Sequence, residues 1–303
     1  MIKIGTLIEM DRSIEGAIDQ VRRIKDAGFN SAWATQIFGN DALTMLAVVG
    51  SHVEDIDLGT AVIPVYPRHP QIMAQQALTV QSATQNRLSL GIGLSHQIVV
   101  ESLWGYSYDK PARYMREYLE ALVPMLNGGT SMVTGEVITA ITTGPLEIPD
   151  VEAPSLLVAA LAPTMLKLAG TVADGTVTWM TGISTIETHI APKITQAASD
   201  AGRDAPRIVV SLPICLTDNI EAAKDSIDEA FSIYPSLPSY KAMLDIEGVQ
   251  RPADISLVGS AEQILDGIGR LTEAGGTELV CAFAGNKDEQ HASFDLLASY
   301  ARS

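Results

Sequence analysis

Short apolar segments alternate with helical patterns along the whole chain, and this alternation is the feature that most limits the possible folds. The apolar segments are nearly continuous, which is typical of strands buried on both faces of a parallel sheet. Eight such strands, each followed by a helical pattern, fit a closed (β/α)8 barrel better than an open doubly wound sheet. The predicted strands are residues 2–9, 31–35, 57–64, 87–93, 155–161, 175–180, 207–217 and 277–283.

Helices are predicted from apolar residues spaced three or four apart and from capping patterns. Ala17, Val21 and Ile24 form such a stripe, and Ser260 with Gln263 forms a capping-box pattern. The helices that follow the strands in the regular units are residues 13–27, 41–51, 71–84, 163–172, 184–201, 260–274 and 289–301.

Two longer excursions interrupt this regular pattern. After the fourth strand, segments 98–104 and 111–126 are predicted to be helical, and a hairpin is predicted within 131–140. After the seventh strand, extra helices are predicted at 220–233 and 239–246. No linker or shift in composition divides the chain, so we expect one barrel domain over all 303 residues.

The chain is acidic, with a formal net charge of −16 and a sequence pI of about 4.6. This charge repels nucleic acid, so a phosphorylated cofactor must be held by backbone amides and a few local basic residues. No apolar run approaches the roughly 18 residues that span a membrane, and no signal-peptide pattern is present at the start. We therefore expect a cytoplasmic protein that acts on a small molecule, with Cys215 and Cys281 as buried, reduced thiols.

Several common chemical motifs are absent from the sequence. Gly91-x-Gly93 resembles the start of a dinucleotide fingerprint, but His96 stands at the third glycine position and no acidic residue follows at the usual spacing. There is no GxxxxGK[ST] loop, no HExxH or CxxC pair and no GxSxG elbow. The sequence therefore argues against a Rossmann dehydrogenase, a metal enzyme and the commonest hydrolases.

In a barrel of this type, functional groups lie at the carboxyl ends of the strands. The loops after the third and fourth predicted strands contain His69 and His96. A loop histidine more often has a structural role than a catalytic one, although two of the five histidines fall at adjacent strand ends. Both readings stay open from the residues alone.

Two further strand ends offer backbone amides to an anion. Residues 159–163 end the fifth strand and open a helix, and Thr181 with Gly182 follows the sixth strand. A close-packed turn explains the first segment, and a capping turn the second, about equally well.

Segments from most of the chain carry a family resemblance: LGTAVIPVYPRHP, NRLSLGIGLSH, YDKPARYMREYLEAL, LLVAALAPTMLKLAG, ADGTVTWMTG and LVGSAEQILDGIGRLTEAGGTELVCAF. These segments resemble the luciferase-like monooxygenase superfamily, and most closely its branch of oxidoreductases that use the deazaflavin coenzyme F420. The resemblance implies a (β/α)8 barrel, often a homodimer, that holds a flavin or deazaflavin at the carboxyl ends of the strands.

The resemblance also implies positions for the cofactor. The peptide bond between Ala61 and Val62 is expected to be cis and to lie beneath the ring. Gly93 and Ser95 are expected to line the ring or its ribityl chain. The side chain and phosphate are expected to contact the backbone of Ala159, Ala160, Leu161, Thr181 and Gly182.

The chain departs from the family at the end of its second strand. Many relatives have Ser-Asp-His-Phe there, whereas this chain has Thr35-Gln36-Ile37-Phe38. Gln36 can hydrogen-bond a ring carbonyl but cannot act as an acid or base. His69 or His96, or the cofactor with solvent, is then left to handle protons.

These inferences predict hydride transfer between coenzyme F420 and an unidentified small organic substrate. Tyr66, Trp104 and Trp179 are the expected substrate walls, although packing of the excursion on the barrel accounts equally for Tyr66 and Trp104. A two-component monooxygenase that uses FMN is the main alternative, and a non-catalytic cofactor-binding protein is a further one.

Overall fold

The computed structural model of the protein describes residues 2–303. Its strands are β1 (Lys3–Leu7), β2 (Ser31–Ala34), β3 (Asp57–Thr60), β4 (Ile63–Pro64), β5 (Leu88–Gly93), β6 (Met132–Thr134), β7 (Thr139–Ile141), β8 (Ser155–Val158), β9 (Gly175–Trp179), β10 (Arg207–Leu216), β11 (Leu257–Gly259) and β12 (Glu278–Phe283).

The α-helices are α1 (Ile14–Asp26), α2 (Ala42–His52), α3 (Pro70–Ala83), α4 (Pro111–Leu126), α5 (Pro163–Val172), α6 (Ile183–Thr185), α7 (Ala191–Asp200), α8 (Ile220–Ala230), α9 (Pro238–Glu247), α10 (Ala261–Glu273) and α11 (Lys287–Arg302). A π-helical turn, Ile186–Ile190, joins α6 to α7. Short 3-10 turns lie at Tyr234–Ser236 and Pro252–Ile255.

The main sheet closes into a cylinder of parallel strands. Its order is β10, β12, β1, β2, β3 with β4, β5, β8 and β9, and β9 pairs again with β10. Helices surround this cylinder, so the predicted (β/α)8 barrel is confirmed. Three details differ from the prediction: the third barrel strand is interrupted between β3 and β4, segment 98–104 is a π-helical turn at Val99–Leu103, and β11 adds a short strand beside β10.

A tryptophan fills the middle of the barrel. Trp33 is 1% exposed and packs with Leu157, Val177, Val209 and Val280. Room for the indole comes from a glycine on the next strand, because a Cβ at Gly59 would lie 2.3 Å from the Trp33 ring. The barrel is therefore a packed core and not a pore.

The amino end of the barrel is closed by a charged network that the sequence analysis did not predict. The Glu278 carboxylate is 2% exposed. It accepts hydrogen bonds from the Ser31 hydroxyl at 2.5 Å, the Trp33 indole at 3.0 Å and the Arg207 guanidinium at 3.0 Å. All of these polar groups are paired, as buried charges require. This network is called the amino-end plug below.

The first excursion is fastened to α4 by a buried carboxylate. Glu117 accepts three backbone hydrogen bonds from the turn between β6 and β7, at 3.2 Å from Glu136, 2.8 Å from Val137 and 3.0 Å from Ile138. The Glu136 side chain pairs with Lys110 and Arg113. The hairpin is thereby held in place beside the barrel mouth.

Cys215 and Cys281 are buried and form no disulfide, as predicted. Burial raises the pKa of both thiols, so they stay protonated at neutral pH. Among residues 2–303, no helix is both long enough and apolar enough to cross a membrane.

Candidate active site

The carboxyl end of the barrel has an apolar floor. Leu7, Ala61 and Val62 are partly exposed and pack on the Trp33 cluster. The peptide bond between Ala61 and Val62 is cis, as the family resemblance implied. It lies where the third barrel strand is interrupted, between β3 and β4.

Two glycines of β5 keep this floor close-packed and flat. A Cβ at Gly91 would lie 2.0 Å from the Thr60 carbonyl oxygen, and a Cβ at Gly93 would lie 2.7 Å from Val62 Cγ2. Ser95 follows with a φ of 62°, in the left-handed region. Its carbonyl accepts a hydrogen bond from the Tyr108 hydroxyl at 3.3 Å. The floor can therefore accommodate a flat ring without obstruction from side chains of β5.

The loop from β8 to α5 leaves free backbone donors at one place only. The amides of Ala159 and Ala160 are used, because they donate to a carbonyl at 2.8 Å and a threonine hydroxyl at 3.3 Å on the flanking strands. The amides of Leu161, Ala162, Thr164 and Met165 have no acceptor within residues 2–303, and no side chain caps α5. An anion is favoured at such a helix N-terminus.

A histidine connects this loop to a lysine. The Nε2–H of His189 donates to the Leu161 carbonyl at 2.8 Å, which leaves Nδ1 to accept from Lys193 Nζ at 3.0 Å. Lys193 is half-buried, and no carboxylate within residues 2–303 pairs with it. Lys193 is therefore a candidate cation for a phosphate bound near this loop.

The helix that follows Thr181 and Gly182 is capped by a carboxylate, and the phosphate contact expected of these two residues stays a prediction. Glu247, the last residue of α9, accepts hydrogen bonds from the Ser184 amide at 3.1 Å and from the Thr185 amide and hydroxyl at 2.6 Å each. A Cβ at Gly182 would lie 2.2 Å from the Glu247 carboxyl carbon. Because an internal carboxylate binds the Ser184 and Thr185 amides, these two amides are not available to a cofactor.

Replacing Glu247 with alanine is expected to lower the free energy of unfolding by about 1–2 kcal/mol, because two helix-terminal amides lose their acceptor. Hydrogen exchange at the Thr185 amide should become faster. Asp245→Ala is the matched control on the same helix, since its exposed pair with Lys241 contributes little. Unchanged exchange at Thr185 in the Glu247 variant would contradict this capping role.

Two other predicted site residues have capping roles. His69 is exposed and begins α3; its Nδ1 accepts from the Gln71 amide at 3.2 Å, and its Nε2 donates to the Thr139 carbonyl at 2.9 Å. Gln36 accepts from the Ala42 amide at 2.9 Å, at the start of α2. Both ring nitrogens of His69 are engaged in these hydrogen bonds, and its catalytic role stays a prediction.

An aromatic bridge spans one side of the barrel mouth and includes Trp179 and His96. It consists of His96, Tyr240, Tyr234, Phe231 and Trp179, with ring centroids 4.8–6.1 Å apart along the series. The bridge passes over β8, because β8 lies between the strands that carry its two ends. All five side chains are partly exposed, so they can form a wall for a ligand.

Burial lowers the pKa of His96 below its ordinary value of 6.5. The unfolded chain then binds more protons than the folded chain between the lowered pKa and 6.5, so stability should fall as the pH drops through this interval. Proton NMR should show a His96 midpoint below 6.5. His96→Asn should lose less stability than the unchanged protein between about pH 7.5 and 5.5. A midpoint at or above 6.5 would show that the ring is not desolvated.

Tyr66 and Trp104, which were also predicted to line the substrate site, instead pack within and beneath the first excursion. Tyr66 is 5% exposed and its ring lies 4.2 Å from that of Tyr114 and 5.6 Å from that of Tyr108. Trp104 is partly buried against the main core. Of the three side chains predicted to line the substrate site, Trp179 alone belongs to the aromatic bridge.

Basic side chains near the mouth are mostly paired with carboxylates. Within residues 2–303, the exceptions at this end are the exposed Lys167 and Lys287 and the half-buried Lys193. The pairs are Arg12 with Glu9, Arg68 with Asp41, Lys110 and Arg113 with Glu136, Lys224 with Asp254, Lys241 with Asp245, and Arg251 with Asp225 and Asp228.

Sequence reasoning missed four residues of this site. Phe231, Tyr234 and Tyr240 lie in the second excursion, far along the chain from any motif, and nothing in their spacing marks them. Lys193 was missed as well, although it stands four residues after His189 in a predicted helix, a spacing that brings two side chains together.

Known proteins are similar to this chain in sequence and have the same barrel fold. A sequence profile of the family described as luciferase-like monooxygenase matches residues 2–278. A Mycobacterium tuberculosis protein, provisionally named a coenzyme F420-dependent oxidoreductase, is 27% identical over 279 residues, which are 84% of this chain and 76% of that protein.

Two solved structures illustrate the shared fold. One is an F420-dependent secondary alcohol dehydrogenase in complex with an F420–acetone adduct, with a TM-score of 0.80 and 18% identity over 98% of this chain and 97% of that chain. The other is the oxygenating constituent of 3,6-diketocamphane monooxygenase from Pseudomonas putida with FMN, with a TM-score of 0.76 and 17% identity over 98% and 97% of the two chains. Since the profile covers nearly all of the chain, this protein belongs to the luciferase-like monooxygenase family.

Proposed function

We propose that the protein is an oxidoreductase that transfers a hydride between coenzyme F420 and a small organic substrate. The observation that carries the proposal is the loop from β8 to α5, which leaves four amides without an acceptor and is joined through His189 to Lys193. F420 is preferred over FMN because a relative at 27% identity is named for it and because the sequence motifs resemble that branch.

The residues present fit a phosphorylated flat ring. Ala61, Val62 and Gly93 offer a level surface for the ring, and the start of α5 with Lys193 offers one phosphate site. Glu247 already accepts from the Ser184 and Thr185 amides, so these two amides are not counted toward the phosphate site. When bound, a deazaflavin supplies or accepts the hydride, and the protein orients it and excludes water.

His96 is the proposed proton acceptor when the substrate is oxidised. Its ring makes no hydrogen bond within residues 2–303, and it stands at one end of the aromatic bridge. Its lowered pKa keeps the ring neutral near pH 7, so that it can take up a proton. The other bridge residues restrict water at the same side of the mouth.

Titration of the purified protein with F420 and with FMN tests the cofactor. We expect F420 to bind with a dissociation constant on the order of micromolar and FMN to bind more weakly. FMN binding without F420 binding would instead support the monooxygenase alternative. Reoxidation of reduced F420 by a panel of enones, imines and ketones then tests catalysis. Tight F420 binding with no reoxidation would indicate a non-catalytic cofactor carrier.

A homodimer is also proposed, with α2 and α3 at the interface. Neither helix contains Asp, Glu, Lys or Arg, and the two pack together. Two copies that each carry a charge of −16 can approach most easily through an uncharged face.

Thr79→Glu, on the exposed face of α3, should shift the protein from dimer to monomer in sedimentation velocity experiments. Thr171→Glu is the control, because this exposed helical threonine makes the same hydrogen bond to the carbonyl four residues before it. An unchanged dimer in Thr79→Glu would exclude this face as the interface.

A further inference from the structure

We propose that Trp33 is a positioning residue for the cofactor ring: its indole supports the apolar floor and is itself fixed by the amino-end plug. The inference rests on the proposed function in one respect, because it requires a flat cofactor ring on this floor. It goes further by giving a role in cofactor binding to a side chain that is 1% exposed and lies in the middle of the barrel.

Hydrogen bonds fix the indole on its amino-end side. The Nε1–H of Trp33 donates to the Ser31 hydroxyl oxygen at 2.8 Å and to a Glu278 carboxylate oxygen at 3.0 Å. Glu278 also accepts from the Ser31 hydroxyl and from Arg207. Ser31, Arg207 and Glu278 each begin a barrel strand, so the plug fixes the height of the indole relative to these strands.

Glycines on the two neighbouring strands fix the indole sideways. Trp33 pairs with Gly59 of β3, and Ser31, on the same face of β2, pairs with Gly5 of β1. A Cβ at Gly5 would lie 3.1 Å from Trp33 Cδ1, and a Cβ at Gly59 would lie 2.3 Å from Trp33 Cε3. The indole therefore fills the space that both glycines leave, and it has little freedom to shift between the two strands.

The floor lies directly on this fixed core. All three floor residues pack on the cluster that contains Trp33. Val62 also contacts β5, because its methyl carbons would lie 3.2 Å from a Cβ at Gly91 and 2.7 Å from a Cβ at Gly93. A close-packed interior has few voids into which side chains can relax, so it transmits a displacement to its neighbours. A shift of the indole would therefore move the surface on which the ring lies.

The ring and the phosphate are bound by different parts of the chain. The floor depends on Trp33, whereas the proposed phosphate site depends on the loop from β8 to α5 and on Lys193. A ligand that has the ring and its ribityl chain without phosphate reports on the floor alone. Two such ring fragments are available: the phosphate-free deazaflavin, which corresponds to F420, and riboflavin, which corresponds to FMN.

Equilibrium titration of purified variants with these four ligands tests the role of Trp33. Trp33→Phe removes the indole N–H and one of the two fused rings, and it should weaken binding of the ring fragment about tenfold. Lys193→Gln should instead weaken F420 binding and leave the ring fragment within about twofold. Unchanged binding of the ring fragment by Trp33→Phe overturns the inference.

Leu297→Ala is the control for a general loss of stability, because Leu297 is fully buried in the main core on α11. It should lower the urea midpoint at least as much as Trp33→Phe does, yet leave binding of the ring fragment within about twofold. An equal loss of ring affinity in Leu297→Ala would reduce Trp33 to an ordinary core residue and overturns the inference.

A second comparison acts from the far end of the barrel and decides the question if Trp33→Phe does not fold. Arg207→Met loosens the plug without changing the indole, and it should weaken binding of the ring fragment about threefold. Arg203→Met, which removes an exposed ion pair with Asp174, should leave it unchanged. Equal ring affinities for the two arginine variants overturn the inference that the plug fixes the indole.

The choice of ligands separates the two proposals. Binding of F420 with no dependence on Trp33 overturns the positioning role and leaves the proposed function intact. Binding of riboflavin and FMN but not of F420, with the same dependence on Trp33, overturns the proposed function and retains the positioning role.

Discussion

Arg207→Met is expected to lower the free energy of unfolding by about 3 kcal/mol, the largest stability effect that the structure predicts. Arg207 donates to Glu278 at 3.0 Å and to the hydroxyls of Ser89 and Ser155 at 2.9 Å each. Without the guanidinium, Glu278 remains a carboxylate that is 2% exposed and has only neutral partners. The value lies at the lower end for buried pairs because the Arg207 side chain is 32% exposed.

Urea denaturation measures this loss of stability. An unchanged slope of the unfolding free energy against urea concentration shows that the unfolded state is unaffected. Arg203→Met is the matched control: Arg203 pairs with the more exposed Asp174 at 2.8 Å, so its loss should cost under about 1 kcal/mol. Adding Glu278→Gln to Arg207→Met should restore part of the stability, because the buried charge is then removed. Equal losses for the two arginine variants would contradict the plug as a buried charge network.

Lys193→Gln is expected to weaken cofactor binding about 10- to 100-fold, the largest functional effect predicted for a single substitution. A hydrogen bond that involves a charged group contributes about 1.5–3 kcal/mol, which corresponds to that range. Glutamine keeps a hydrogen-bond donor of similar reach, so the difference in dissociation constant reports the contribution of the lysine charge. Equilibrium titration with F420, followed by its fluorescence, gives the dissociation constants.

Lys167→Gln is the control for Lys193, because Lys167 is an exposed lysine on α5 and no acidic partner within residues 2–303 holds it. It should leave F420 affinity within about twofold. Added salt should weaken binding to the unchanged protein more than to the Lys193 variant, since the variant lacks the screened interaction. Identical affinities for the two variants would remove Lys193 from the phosphate site.

The fold could be predicted from local patterns because each strand–helix unit is encoded within about 30 residues. Apolar runs such as 87–93 and stop residues such as Gly28 mark these units individually. The cis peptide bond between Ala61 and Val62 was expected from family resemblance and from no propensity rule, whereas the interruption of the third barrel strand at this point was not predicted. The amino-end plug could not be predicted, since Ser31, Arg207 and Glu278 meet only when the sheet closes.

The candidate site was predictable where a position is fixed by the barrel itself. Ala61, Val62, Gly93 and Trp179 lie at strand ends, and the structure has them at the mouth. The neighbours that give a side chain its environment come from distant segments, as Glu247 shows by capping the helix that follows Gly182. Capping by His69 at α3 and by Gln36 at α2 likewise depends on loop geometry that sequence patterns do not specify.

The second excursion supplies aromatic side chains of the proposed substrate wall, while other segments supply the proposed cofactor site. Phe231, Tyr234 and Tyr240 all come from one segment between β10 and β11 that contributes no strand to the closed barrel. The floor and the α5 site come from other parts of the chain. Substitutions in residues 231–240 can therefore change which substrates bind without changing the apolar floor on which the cofactor ring would lie. In evolutionary terms, substrate choice can diverge while the cofactor site is retained.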